Sequence, residues 1–261
     1  MKLILLIVAG LLSARAFGTT VPLDGTWYTG SNNGTPSLSD PDSDSFVWGT
    51  DDSTTATAQK GTVWTYFDPM SLANDGDSIT LSLTTVPVED ATAHSFRLGL
   101  FNSGGSKVLN NLDGTNSDSG FSGSVGYYAQ WEIDSSGGAA LYTRQTGYTQ
   151  PLSSKVENGA IHVANTETTV GLKGGTSYDI AISVTRNSDS EYLVTSSIDD
   201  TVMSGVTSTI AATSFDMVNI LTPPTGIDSY EFSNFQVEYV PEPATMLLLG
   251  LGSVGLLRRK R

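Results

Sequence analysis

The sequence predicts an all-β protein, an antiparallel two-sheet β-sandwich held between two apolar end segments. Three observations carry this. Apolar residues alternate with polar ones at period two through most of residues 17–239, with no sustained 3.6-residue periodicity. Clusters of Gly, Asn, Asp and Ser, such as NSGGSK, DSSGG and LKGGTS, punctuate these runs as turns. The chain has no cysteine, so its stability must come from a sizeable apolar core and not from disulfides.

Each strand follows from its own alternation. In DSITLSLTTV, Ile79, Leu81 and Leu83 share one face, and HSFRLGLF does the same with Phe96, Leu98 and Leu100. GYYAQWEID aligns Tyr127, Ala129, Trp131 and Ile133. TSYDIAISVTR aligns Tyr178, Ile180, Ile182 and Val184, and EYLVTSSI returns after the turn at 187–190. YEFSNFQVEYV closes the series with Phe235, Val237 and Tyr239. Residues 18–60 are poorer in apolar side chains and predict early strands around Trp27 and Trp48 with a loop at 31–45. Many short strands, each with one apolar face, bury those faces by stacking two sheets. No repeat or linker divides the domain.

The two ends differ from this middle. Lys2, the apolar run Leu3–Leu12 and the small-x-small pattern Ala14-Arg15-Ala16 read as a signal peptide, cut by signal peptidase before Phe17. Ten apolar residues are too few for a bilayer span of roughly 20. At the other end, Pro241-Glu242-Pro243 precedes the apolar stretch Ala244–Leu257 and the basic cluster Arg258, Arg259, Lys260 and Arg261. An uncharged helix enters a membrane while its cationic end stays on the cytoplasmic side, as a stop-transfer. This tripartite tail resembles the PEP-CTERM sorting signal of Gram-negative and related bacteria. The resemblance covers the last 22 residues. It implies recognition of the Pro-Glu-Pro motif by a membrane protease, exosortase, and a transient inner-membrane hold before delivery to the cell surface or outside. The expected organisation is a signal peptide at 1–16, a secreted domain at 17–239 and the sorting signal at 240–261.

The order of the strands, from WTYFDPMSLANDGDSITLSLTTV through SFRLGLFNS and YDIAISVTRNSDSEYLVTSSIDD to IDSYEFSNFQVEYV, resembles a concanavalin-like (laminin-G-like) jelly roll over residues 60–240. Laminarinase-type glycoside hydrolases use the same fold with a Glu-x-Asp-x-x-Glu strand motif. Here Glu132 and Asp134 match its first two carboxylates, but Gly137 stands where that resemblance places the acid/base. Retaining hydrolysis needs two carboxyl groups about 5 Å apart. The expectation is therefore a non-enzyme, with a polysaccharide hydrolase or lyase as the alternative.

Charge narrows the partners. Between residues 17 and 240 there are 7 basic and 26 acidic side chains, a net of −19. Such a surface repels nucleic-acid phosphates, so nucleic acid is excluded as a partner. Asp40, Asp42 and Asp44 alternate in SDPDSDS, and Asp113, Asn116 and Asp118 lie in LDGTNSDSG; hard oxygens at such spacing can hold Ca²⁺. Neither loop has the glycine and closing glutamate of a twelve-residue calcium loop, and no other cofactor is implied. Trp64, Tyr66, Tyr127, Tyr128, Trp131, Tyr142 and Tyr148 are aromatics that could stack on sugar rings. Tyr128 lies on the phase opposite Tyr127 and Trp131, which makes it the better binding residue. No strand-turn-helix elbow surrounds a serine, and no phosphate-cradling loop occurs. The expected function is an exported, non-catalytic glycan-binding or structural component of the extracellular polysaccharide matrix, with Tyr128, Trp131, Glu132 and Asp134 as its ligand-binding residues.

Overall fold

The computed structural model describes residues 18–242 apart from 32–36, 40–43, 50–60, 89–94, 113–114, 116, 133–137, 153–159, 167–169, 171, 210 and 223–228. Fifteen strands lie among the described residues: β1 (Thr19–Val21), β2 (Tyr28–Ser31), β3 (Ser37–Ser39), β4 (Phe46–Gly49), β5 (Gly61–Ser71), β6 (Ser78–Pro87), β7 (Ser95–Asn102), β8 (Val125–Glu132), β9 (Ala139–Arg144), β10 (Ala160–Thr166), β11 (Tyr178–Ser188), β12 (Glu191–Ile198), β13 (Thr201–Thr207), β14 (Ser214–Thr222) and β15 (Ser229–Val240). One sheet runs β13-β12-β11-β6-β15-β4-β3, with β1 also on β15; the other runs β10-β9-β8-β7-β14-β5-β2. Every pairing between strands is antiparallel. The two-sheet sandwich that the alternation predicts is the one the chain forms. One refinement concerns the early segment, where β3 lies within the expected 31–45 loop; the expected signal and sorting helices lie outside the described residues.

The alternating apolar faces meet between the sheets. Ile79, Leu81, Leu83, Phe96, Leu98, Leu100, Ile180, Ile182 and Val184 all belong to one buried cluster. Trp131 spans the gap, its indole N–H donating to Ser196 Oγ on the opposite sheet at 3.0 Å. At one end, Trp27 and Phe46 pack at 4.6 Å, and Phe235 lies 4.6 Å from Trp27. A bulge in β15 between Ser233 and Gln236, with Asn234 at φ 55°, absorbs one residue, so Tyr230 and Phe232 face the same core as Phe235 and Val237.

A second buried cluster lies on the outer face of the seven-stranded sheet. Trp64, Tyr66, Phe101, Tyr128, Met217 and Leu221 point away from the inter-sheet core, and Val108, Leu112, Phe121 and Leu152 from the covering loops close over them. The strap is bonded down. Trp64 Nε1 donates to Val108 O at 2.9 Å, Val108 N donates to Tyr66 Oη at 2.7 Å, and Leu112 N donates to Thr29 O at 2.7 Å. Beyond it, Arg144 is 1% exposed and donates to the carbonyls of Phe121, Ser124, Tyr148 and Gln150. This guanidinium ties the 3₁₀ turn Ser119–Gly123 to the loop after β9.

Candidate functional site

Cross-strand register places side chains of the seven-stranded sheet in rows on its outer face. One row runs Tyr28, Trp64, Asn219, Gly99, Tyr128, Tyr142 and His162 across seven strands. The next contains Leu221, Arg97, Gln130 and Ala140. The strap covers the first part of this face. On the β8–β9–β10 side, Tyr142 and Gln130 are partly buried and His162 is exposed.

The sequence permits this arrangement at Gly99. A Cβ there would lie 2.5 Å from Phe101 Cε2 and 2.8 Å from Tyr128 Cβ, so only glycine lets both rings close over the strand. Tyr142 then stacks on Tyr128 at 5.1 Å with planes 15° apart, and His162 meets Tyr142 edge-on at 5.6 Å and 81°. Gln130 Nε2 donates to Glu132 Oε1 at 2.5 Å, which leaves Gln130 Oε1, buried, without a hydrogen-bond partner among the described residues. Arg97 Nη1 donates to Leu152 O at 2.5 Å. Burial raises the Tyr142 phenol above its usual range; the Arg97 charge opposes that and Glu132 adds to it. Burial likewise lowers Arg97, against the pull of Tyr128, Tyr142 and Glu132.

These groups can bind a polyhydroxylated ring. A flat aromatic face takes the C–H side of a sugar, while planar amide, carboxylate and guanidinium groups bond hydroxyl pairs. Arg97, with Nη1 bonded to Leu152 O, adds positive charge beside that face.

Tyr128 requires a correction. It faces away from the inter-sheet core, as its phase predicts, yet it is 0% exposed because Tyr142 and Phe101 stack on it and the strap closes beside it. Trp131, also 0% exposed, belongs to the inter-sheet core and cannot contact a ligand. Glu132 is partly exposed in the outer cluster, and Asp134 lies outside the described residues. Arg97, Gln130 and His162 carry no motif in the sequence; Arg97 and Gln130 occupy the outward phase of strands whose apolar inward phase is the visible signal.

Most residues of the expected calcium loops, Asp40, Asp42, Asp113 and Asn116, lie outside the described residues; Asp44 is exposed, and Asp118 accepts from Gly120 N at 2.6 Å as the cap of the 3₁₀ turn. Among the described residues, no group of three or more His, Asp or Glu side chains is placed to hold a metal.

The eight-stranded sheet carries a polar groove of about 350 Å³ between β6, β11, β12 and β15. Its groups satisfy one another: Asn234 Nδ2 donates to Thr84 Oγ1 at 3.2 Å, and Thr84 Oγ1 donates to Asp179 Oδ1 at 2.8 Å. It has no aromatic wall.

The sorting motif begins directly at the end of β15. Pro241 is exposed and Glu242 is partly buried, its amide donating to Asp77 Oδ1 at 2.7 Å. Pro243, the basic residues 258–261 and the cleavage residues Ala14 and Ala16 lie outside the described residues. No helix among the described residues is long and apolar enough to cross a membrane.

Residues 240–261 match the family model described as the PEP-CTERM protein-sorting motif. No curated protein matches the chain. Solved structures of similar shape include the Emp47p carbohydrate recognition domain, at 15% identity and TM-score 0.44, covering 88% of this chain and 99% of that one. A Bacillus subtilis protein of unknown function with a galectin-like fold has 11% identity and TM-score 0.46, covering 87% and 100%. An alginate lyase from Chlorella virus has 14% identity and TM-score 0.46, covering 84% and 98%.

Proposed function

We propose that this chain, which carries the PEP-CTERM sorting motif, is exported, processed by exosortase and delivered to the cell surface or beyond, where it binds extracellular polysaccharide without cleaving it. The domain boundaries follow the same reading: a leader at 1–16, the binding domain at 17–239 and the sorting signal from 240. The membrane-spanning tail at 244–257 is a transient anchor in this scheme.

One observation carries the binding assignment. A partly exposed ring, Tyr142, lies braced against a buried one beside Arg97, Gln130, Glu132 and His162. The brace fixes the ring before a ligand arrives, so stacking costs little side-chain entropy. Glycan-array binding by the processed protein tests this directly. Retained binding in Tyr142→Ala would move the ligand elsewhere, and no binding to any polysaccharide would favour a purely structural matrix role.

A specific grouping supports a second reading, polysaccharide lyase chemistry. Elimination from a uronate needs a cation on the carboxylate, a base for the adjacent proton and an acid for the leaving oxygen. Arg97, His162 and the protonated Tyr142 phenol are residues of those types on one face. Paired-carboxylate hydrolysis has less support, since Glu132 is the one carboxylate of the cluster among the described residues. Ultraviolet absorbance of unsaturated products from polyuronates, abolished in His162→Ala, would establish the lyase reading.

A further inference from the structure

The sorting motif is held on the folded domain by a buried carboxylate. Val240 still pairs with Ser78 as the last residue of β15, and Pro241 follows without a linker. Proline has no N–H, so Glu242 supplies the only backbone donor of Pro241-Glu242-Pro243. That donor is spent on Asp77 Oδ1 at 2.7 Å.

Asp77 is well built for this grip. It is 0% exposed, and its Oδ2 accepts from Ala73 N and Asn74 N, each at 2.8 Å. The Tyr239 hydroxyl donates to the same carboxylate. Gly76, at φ 97°, turns the chain so that Glu242 lies over its bare Cα; a Cβ there would sit 3.2 Å from Glu242 Cγ. The turn is itself braced, with Arg186 Nη1 donating to Leu72 O at 3.0 Å and Gly76 N donating to Arg186 O at 2.7 Å.

We propose that Asp77 is a positioning residue for processing: it masks the motif's one amide, so exosortase must compete with the fold for Glu242. Proteins that read an extended segment commonly bond its backbone, and this segment offers one N–H. Processing then waits on opening of the last residues of β15, a local event far cheaper than unfolding the sandwich.

The test is pulse-chase processing of the full-length chain in cells that make exosortase, read as the half-time of the shift to the trimmed form. A Gly-Ser-Gly-Ser insertion between Val240 and Pro241 frees the motif while leaving Asp77 and the sandwich intact. Asp77→Asn weakens the grip in place. Both are expected to be processed about tenfold faster than wild type. Leu98→Ala, chosen to lower the melting temperature by at least as much, is expected to leave the half-time unchanged. In uncut protein from cells lacking exosortase, the Glu242 amide is expected to exchange slowly in wild type and fast in Asp77→Asn. Wild-type or slower processing in the insertion variant would overturn the proposal, as would equal acceleration by Leu98→Ala.

Discussion

Tyr142 lies over Tyr128 with ring centroids 5.1 Å apart and planes 15° from parallel, and the pair divides two roles between neighbouring strands. Tyr128 is wholly buried and belongs to the second core, whereas Tyr142 is partly exposed. Tyr142→Ala should therefore weaken polysaccharide binding about tenfold with a small change in melting temperature. Tyr128→Ala should cost about 3–5 kcal/mol of stability, the usual range for deleting a buried aromatic ring. Affinity electrophoresis and denaturant unfolding of the two variants separate the roles. Equal effects on both readouts would remove the distinction.

The inward face of most strands was legible because one face of each is apolar and the other polar. Strands β5 and β14 lack that contrast, since the strap buries the outer face that would otherwise be polar. Their burial runs unbroken from Gly61 to Phe67 and from Phe215 to Thr222. Tyr128 is buried for the same reason: its phase is local information, while the side chains that cover its sheet face, Val108, Leu112, Phe121 and Leu152, come from loops distant in sequence. The shift between Phe232 and Phe235 needs the β15 bulge, which alternation cannot register. The motif at 241–243 was fully legible, but its bond to Asp77, 165 residues away, was not.

The strap is core and not a lid. Tyr66 Oη accepts from Val108 N at 2.7 Å and donates to Val108 O at 3.3 Å, both in a buried setting. Tyr66→Phe leaves that amide without its acceptor, at about 1–3 kcal/mol. Hydrogen exchange should show faster exchange through residues 106–112, with β6 and β11 unaffected. Unchanged protection there would mean that the strap is held by its apolar contacts alone.

Arg144 is a buried cation held by oxygen lone pairs of the loop backbone. Burial lowers its pKa to about 10, still charged at neutral pH. Its planar fork reaches four carbonyls in different directions, a geometry that one ammonium point cannot copy. Arg144→Lys should cost about 2–4 kcal/mol and release the 3₁₀ turn, seen as a lower melting temperature and proteolysis within 119–124. A neutral outcome would show that the turn is fixed by Phe121 packing.

The Asp77 carboxylate links stability to acid. Burial alone would raise its pKa, but donation from Asn74 N, Glu242 N, the Tyr239 hydroxyl and Ala73 N outweighs that and holds it below the ordinary value. A folded pKa below the unfolded one means that the unfolded chain binds the proton more readily. The stabilisation is complete above the unfolded value of about 3.9 and disappears as pH falls through the folded value. Asp77→Asn should be less stable than wild type by about 2 kcal/mol at pH 7, with the two stability curves converging as the carboxylate protonates. Urea midpoints measured from pH 7 down to about pH 2 would show that convergence. Parallel curves with no convergence would mean that the carboxylate's charge contributes nothing to the grip, and that its shape alone holds the turn.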